Sequence, residues 1–121
     1  MAIKILVCGS RESPRTRDDY AKIVWEKLEP YQGNLEIVEG CCPNSADEYA
    51  ERWAEKNNIK VNHFPATEGN HLKRNIEMLN NNITYILAFW DGYSYGTAFT
   101  IAHAVEMNIP VEVINIGAKN K

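Results

Sequence analysis

Hydrophobic residues recur along the chain as short, nearly continuous runs separated by stretches with helical spacing, and this alternation predicts an α/β fold. Ile3 to Cys8 is an apolar, β-branched run closed by Gly9. It lacks the in-out alternation of a half-exposed strand, so it predicts a strand covered on both faces of a parallel sheet. After a polar loop, Thr16 and Asp19 stand at capping-box spacing, and Tyr20, Ile23, Val24 and Leu28 follow on one helical face until Pro30. Leu35 to Val38 predicts a second strand stopped by Gly40, and Ser45 with Glu48 opens a helix whose apolar face carries Ala46, Tyr49, Ala50, Trp53 and Ala54. Trp25 and Trp53 both fit the buried faces of their helices. A third strand is expected over Ile59 to Phe64, and a third helix over about Asn70 to Asn81 carrying Leu72, Ile76 and Leu79. Ile83 to Trp90 follows as a strand, the Gly92 to Gly96 turn leads into a helix bearing Phe99, Ile101, Ala102 and Val105, and Pro110 precedes a last strand, Val111 to Ile114.

Five strands alternating with four helices call for right-handed crossovers and a parallel sheet between two helical layers. The expectation is a Rossmann-like three-layer sandwich with strand order 3-2-1-4-5, forming one domain over residues 1–121. No repeat, low-complexity tract or linker interrupts the pattern.

Composition narrows the function classes. The chain is 45% hydrophobic and 24% charged, an ordinary globular balance, and its net charge of −3 disfavours a nucleic-acid binder with a broad basic face. The amino-terminal apolar run is too short for a signal peptide, and no stretch approaches membrane-spanning length. Three cysteines, two of them adjacent, make no disulfide framework, so a reducing, cytoplasmic setting is expected.

In such a sheet, ligands bind at the carboxyl ends of the strands, where the strand order reverses. Four segments stand at that rim. Gly9-Ser10-Arg11, with Arg15 and Arg17, places three of the five arginines within one loop, suited to phosphate or carboxylate. The alternative is a solvated loop in which they pair with Glu12, Asp18 or Asp19. Gly40 to Asp47 runs through Ser45 into a helix amino terminus, attractive to an anion through its free amides and dipole, although capping by Ser45 accounts for part of that pattern. Arg74-Asn75 sits near the start of the third helix, where a cation opposes the helix dipole, so either a ligand or a surface salt bridge explains it. Gly92, Ser94, Gly96 and Thr97 combine backbone access, hydroxyls and a helix start able to cradle a phosphate.

Gly92-Tyr93-Ser94-Tyr95-Gly96 also matches a Gly-x-Ser-x-Gly nucleophile elbow, but the one histidine beyond it, His103, lies about 13 Å along the same helix. Cys8, Cys41, Cys42 and His63 fall near strand ends, yet no pair has zinc-ligand spacing, and neither a metal nor a cofactor is expected. His71 and His103 read as surface or packing residues on helices.

Together these segments resemble the YspA/YpsA-related branch of the SLOG superfamily, Rossmann-like domains that include sensor parts of bacterial defence proteins. The resemblance spans nearly the whole chain. It rests on Gly9-Ser10-Arg11, on Gly40 with Ala46-Asp47, on Phe64-Pro65-Ala66 and Arg74-Asn75, and on Phe89-Trp90 through Gly96-Thr97. One departure is Cys41-Cys42-Pro43-Asn44-Ser45, where the family has a glycine-rich turn. The resemblance implies a nucleotide or nucleotide-derived ligand, such as an ADP-ribose-like signal, bound by a sensor or sponge, and a homodimer. Relatives of the cytokinin-activating type are phosphoribohydrolases whose motif carries a glutamate, and Thr100 stands at its place here. A threonine cannot act as a carboxylate acid or base, so hydrolysis by that route would need Asp47, Asp91 or Glu39 instead. The reading is therefore a binding module, with an N-glycosidase or nucleotide hydrolase as the alternative. A third reading is an interaction protein, for which Tyr93 and Tyr95 would supply a dimer contact or stack on a base.

Overall fold

A computed structural model describes residues 3–11, 16–67 and 69–117. The elements are β1 (Ile3–Gly9), α1 (Arg17–Leu28), a 3-10 turn (Glu29–Tyr31), β2 (Leu35–Glu39), α2 (Ala46–Lys56), β3 (Lys60–His63), α3 (His71–Leu79), β4 (Tyr85–Trp90), α4 (Tyr95–Glu106) and β5 (Val111–Asn115). The five strands pair in parallel in the order β3-β2-β1-β4-β5, as the βα alternation requires.

Because successive side chains leave a strand on opposite faces, each apolar run feeds two cores. Ile5, Val7, Ile37, Leu87 and Phe89 pack with Tyr20, Val24 and Leu28 of α1 and Ala50 and Trp53 of α2. Leu6, Cys8, Val38, Ile86 and Ala88 meet Met78 and Leu79 of α3 and Ala104 of α4 on the other face. Each fully buried Leu, Ile or Phe contributes about 1.5–3 kcal/mol relative to exposure, which is why these strands carry unbroken apolar runs. Trp25 departs from the expected core position. It stays 37% exposed, and its indole N–H donates to the Tyr49 carbonyl at 2.8 Å, tying α1 to α2 at the surface.

Asparagine ends three helices. Asn58, Asn82 and Asn108 adopt left-handed backbone (φ 56°, 58° and 60°) just past α2, α3 and α4. The chain then reverses, with Ile59 N–H donating to Ala54 O and Ile109 N–H to Ala104 O. Each reversal delivers the chain to the next strand at the amino end of the sheet. The opposite rim, where the βα segments leave, carries the polar chemistry. No described helix is long and apolar enough to cross a membrane.

Candidate functional site

A cavity of about 430 Å³ opens at the carboxyl ends of β1 and β4, where the strand order reverses. Its walls come from Cys8 to Arg11 after β1, Cys42 and Asp47 around the start of α2, His71, Arg74, Asn75 and Met78 of α3, Asp91 and Ser94 after β4, and Gly96, Thr97 and Thr100 of α4. Gly40, Ser45, Gly92 and Glu39 do not line it.

The exits of β1 and β4 are held together by Ser10. Its amide donates to Phe89 O (2.9 Å), its carbonyl accepts from the Tyr20 hydroxyl (2.8 Å), and its Oγ accepts the Asp91 amide (3.1 Å). Gly9 is required by packing: a Cβ there would stand 2.7 Å from Tyr20 Oη and 2.8 Å from the Phe89 carbonyl. Asp91 folds the next turn, its Oδ1 accepting the amides of Tyr93 and Ser94 and its Oδ2 the Ser94 hydroxyl. Burial works against its charge, but hydrogen bonds from the Ser94 and Tyr93 amides and the Ser94 and Ser10 hydroxyls outweigh it and hold the carboxyl below the usual range. Asp91 is thus a fixed, weakly basic anion. Ser94 has unstrained backbone (φ −59°) and gives its proton to that anion, which is not how an elbow nucleophile is held.

Arg74 is the strut of the opposite wall. Only 8% exposed, it donates from Nε to Asn75 Oδ1, from Nη1 to the carbonyls of Gly40 and Phe64, and from Nη2 towards Cys42 Sγ. A Cβ on residue 40 would stand 2.3 Å from Nη1, so the glycine there makes room for the guanidinium. Most of the Arg74 donors are committed to the fold, with one Nη2 hydrogen uncommitted among the described residues. Arg11, by contrast, is exposed and lines the cavity with no ion pair to a described residue. Arg17 is drawn away to Glu48 of α2 at 3.2 Å, a pairing outside the carboxylates expected from the loop. Arg15 lies outside the described residues.

The helix starts differ sharply. Thr16 Oγ1 accepts the Asp19 amide at α1, and at α2 Ser45 Oγ accepts the Asp47 amide. Asp47 Oδ2 accepts the amides of Gly40 and Cys42, and Glu48 Oε1 takes the amide of Asn44, so the protein's own acids occupy the place of an anion at α2. Helix α4 has no side-chain cap and no acid in its first turn, and its Gly96 and Thr97 line the cavity. First-turn amides have no intrahelical partner, so this end presents unmet donors, with the dipole's positive end set behind the Asp91 carboxylate. The Thr97 side chain makes no hydrogen bond to the described residues.

Asp47 is 4% exposed, and burial, together with the charge of Glu39, pushes its carboxyl up to about 7, against the Cys42 and Gly40 amides and Arg74. It therefore changes charge near neutrality beside the cavity. Cys8 is buried, and burial followed by the Asp47 charge pushes its thiol far up, leaving it inert. Thr100, which lines the cavity, gives its hydroxyl to Gly96 O at 3.0 Å.

Cys8, Cys42, His71 and Met78 also line the cavity, beyond the residues singled out from sequence. Helical spacing holds the signal for two of them, since His71 and Met78 lie three residues before and four after Arg74 on the same face. Tyr93 and Tyr95 are 75% and 70% exposed and stand outside the lining.

No protein-family model and no curated protein matches the chain. Solved structures do. The molybdenum cofactor binding protein from the phototrophic bacterium Rippkaea orientalis superposes with a TM-score of 0.74 at 16% identity, covering 95% of this chain and 77% of that one. The Moco carrier protein from Chlamydomonas reinhardtii superposes with a TM-score of 0.65 at 13% identity, covering 99% and 79%. At these identities the likeness is one of fold, and it agrees with the Rossmann-like sandwich and its strand order.

Proposed function

We propose that this protein is a binding module for a phosphorylated, nucleotide-derived small molecule, with the ADP-ribose class first in line, acting as a sensor or sponge. The observation that carries the reading is the first turn of α4, without a side-chain cap or an acid of its own, opening into the same cavity as the exposed Arg11. A phosphate there would accept the Gly96 and Thr97 amides, the Thr97 hydroxyl and the Arg11 fork, with Arg74 and Asn75 holding the far wall. The two proteins of like fold, a molybdenum cofactor binding protein and a Moco carrier protein, support a small-molecule binding role on this scaffold and add that cofactor to the ligands worth testing.

The test incubates the protein with nucleotides, NAD, ADP-ribose and the molybdenum cofactor, recording melting temperature and the mass of every product. A shift with intact ligand, weakened at least about tenfold in Arg11→Ala, is expected from charge-assisted contacts to a phosphate. No shift with any of them, or a shift untouched by Arg11→Ala, would overturn the reading.

A second reading has one specific support. Asp47, poised near 7 at the cavity wall, has the acid-base properties an N-glycosidase or nucleotide hydrolase needs. Asp91 is held too acidic, and Glu39 lies outside the lining. Released base in the mass spectra, absent in Asp47→Asn, would favour this enzyme. We extend the proposal to a homodimer, since Leu72 and Ile76 of α3 and Val105 of α4 remain exposed apolar residues. Light scattering checks it, and a monomeric mass at micromolar concentration would remove the dimer from the account.

A further inference from the structure

One strand away from the cavity, the carboxyl ends of β2 and β3 gather a second constellation. The parallel register sets Glu39 opposite His63, and Cys41 follows the end of β2. Glu39 is fully buried. Its Oε2 lies 2.6 Å from His63 Nδ1 and 3.4 Å from Cys41 Sγ, while Sγ lies 3.7 Å from the same Nδ1. Glu51 of α2 brings Oε1 to 3.3 Å from that nitrogen. Cys41 reaches this position only through left-handed backbone (φ 62°), which costs a non-glycine residue about 1–3 kcal/mol. The Cys41 amide engages Glu39 Oε1 at 2.7 Å, leaving Oε2 for the sulfur and the imidazole.

Three uses of such a group can be weighed. A thiol-imidazole-carboxylate relay needs the thiol on one ring nitrogen and the carboxylate on the other. Here sulfur and both carboxylates converge on Nδ1, so the relay geometry is missing. A plain histidine-carboxylate ion pair would account for Glu39 and Glu51 but gives no reason to strain Cys41 into the group. Convergence of sulfur, nitrogen and oxygen on one point is what a cation requires. With metal bonds of about 2.0–2.3 Å, tetrahedral donors stand about 3.3–3.8 Å apart. The Sγ to Oε2, Sγ to Nδ1 and Nδ1 to Glu51 Oε1 separations already lie in that range. The Nδ1 to Glu39 Oε2 distance of 2.6 Å would open by about 0.7 Å as a metal replaced the shared proton.

We propose that Glu39, Cys41 and His63 form a site for a zinc-class divalent cation, with Glu51 beside the imidazole nitrogen. Calcium and magnesium take oxygen ligands, whereas a mixed thiolate, imidazole and carboxylate set suits zinc. Three protein ligands from β2, the turn after it and β3 would clamp those two strands together and leave the fourth position to water or to Glu51. None of these residues lines the cavity at β1 and β4, so zinc binding is measured without the ligand proposed there.

The test titrates chelator-treated full-length protein with Zn2+ against a chromophoric competitor, and with Co2+ followed optically. One saturating equivalent is expected, with a thiolate-to-cobalt charge-transfer band and a raised melting temperature. Cys41→Ser should lose the band and bind zinc at least about tenfold more weakly, the scale on which even outer-sphere partners matter, while Cys42→Ser keeps both. No saturable equivalent, wild-type zinc binding in Cys41→Ser, or loss of the band in Cys42→Ser would overturn the proposal. Should Cys41→Ser fail to fold, His63→Ala decides: weakened zinc binding supports the site and unchanged binding overturns it.

Discussion

Helices α2 and α4 both begin at the rim beside β1, and they begin in opposite ways. At α2 the amides of Asp47, Gly40 and Cys42 are taken by Ser45 and by the buried Asp47 carboxylate. At α4 the Asp91 carboxylate takes the Tyr93 and Ser94 amides just ahead of the helix, but no side chain caps the first turn, which carries no acid and faces a cavity. The same structural element thus serves stability at one place and is left electrostatically unfinished at the other. Unmet first-turn donors cost stability that a cap would recover, so an open helix start at a strand-order reversal points to a ligand that completes it.

The largest expected effect comes from removing the strut between the two starts. Arg74→Ala strands the buried Gly40 carbonyl and the half-buried Phe64 carbonyl and should cost about 3 kcal/mol, a fall in melting temperature of roughly 10 °C. Any loss of ligand affinity would follow from that collapse, so calorimetry on the unliganded protein separates the two. Gly96→Asp closes the open start with a carboxylate, into space where no atom beyond the adjoining helix turn and chain neighbours lies within 4 Å of the new Cβ. It should lower affinity for ADP-ribose at least about tenfold and leave stability unchanged or raised by about 0.3–1 kcal/mol through the helix dipole. Equal affinity would mean the α4 start does not meet the phosphate.

Ser45→Ala opens the closed start instead. Loss of that cap should cost about 1 kcal/mol in denaturant unfolding and leave ligand affinity untouched. The smallest effect is a pH dependence. An anion bound nearby raises the Asp47 pKa further, so the complex holds more protons than the free protein around and above pH 7. Affinity for ADP-ribose, whose pyrophosphate does not titrate there, should therefore fall severalfold as pH rises through about 7, and Asp47→Asn should flatten the profile.

Most of the architecture is legible in the chain because two-faced strands and capped helices leave local marks. The apolar runs located all five strands, and Thr16 with Asp19 marked the start of α1 as a real cap. Parts of the cavity are legible for the same reason, since Gly9 to Arg11 and Ser94 to Thr97 follow strands directly. What spacing could not convey is who occupies whom. The partners of Arg74 are carbonyls 34 and 10 residues away, so its commitment to the fold is invisible in sequence. Glu39 and His63 become neighbours only through the β2 and β3 register, which is why ligand spacing along the chain gave no hint of their cluster. Ser45 and Glu48 looked like one capping box, whereas Ser45 serves the Asp47 amide and Glu48 that of Asn44.

The contrast between the helix starts can be read amide by amide in the nitrogen-proton NMR spectrum during a titration with inorganic pyrophosphate. The account expects the Gly96 and Thr97 amides to move saturably and furthest, together with Arg11, while Ala46 and residue 47 at the start of α2 move less, and not at all once Asp47→Asn has removed the titrating carboxyl. Saturable movement at α2 or elsewhere with Gly96 and Thr97 stationary would contradict it.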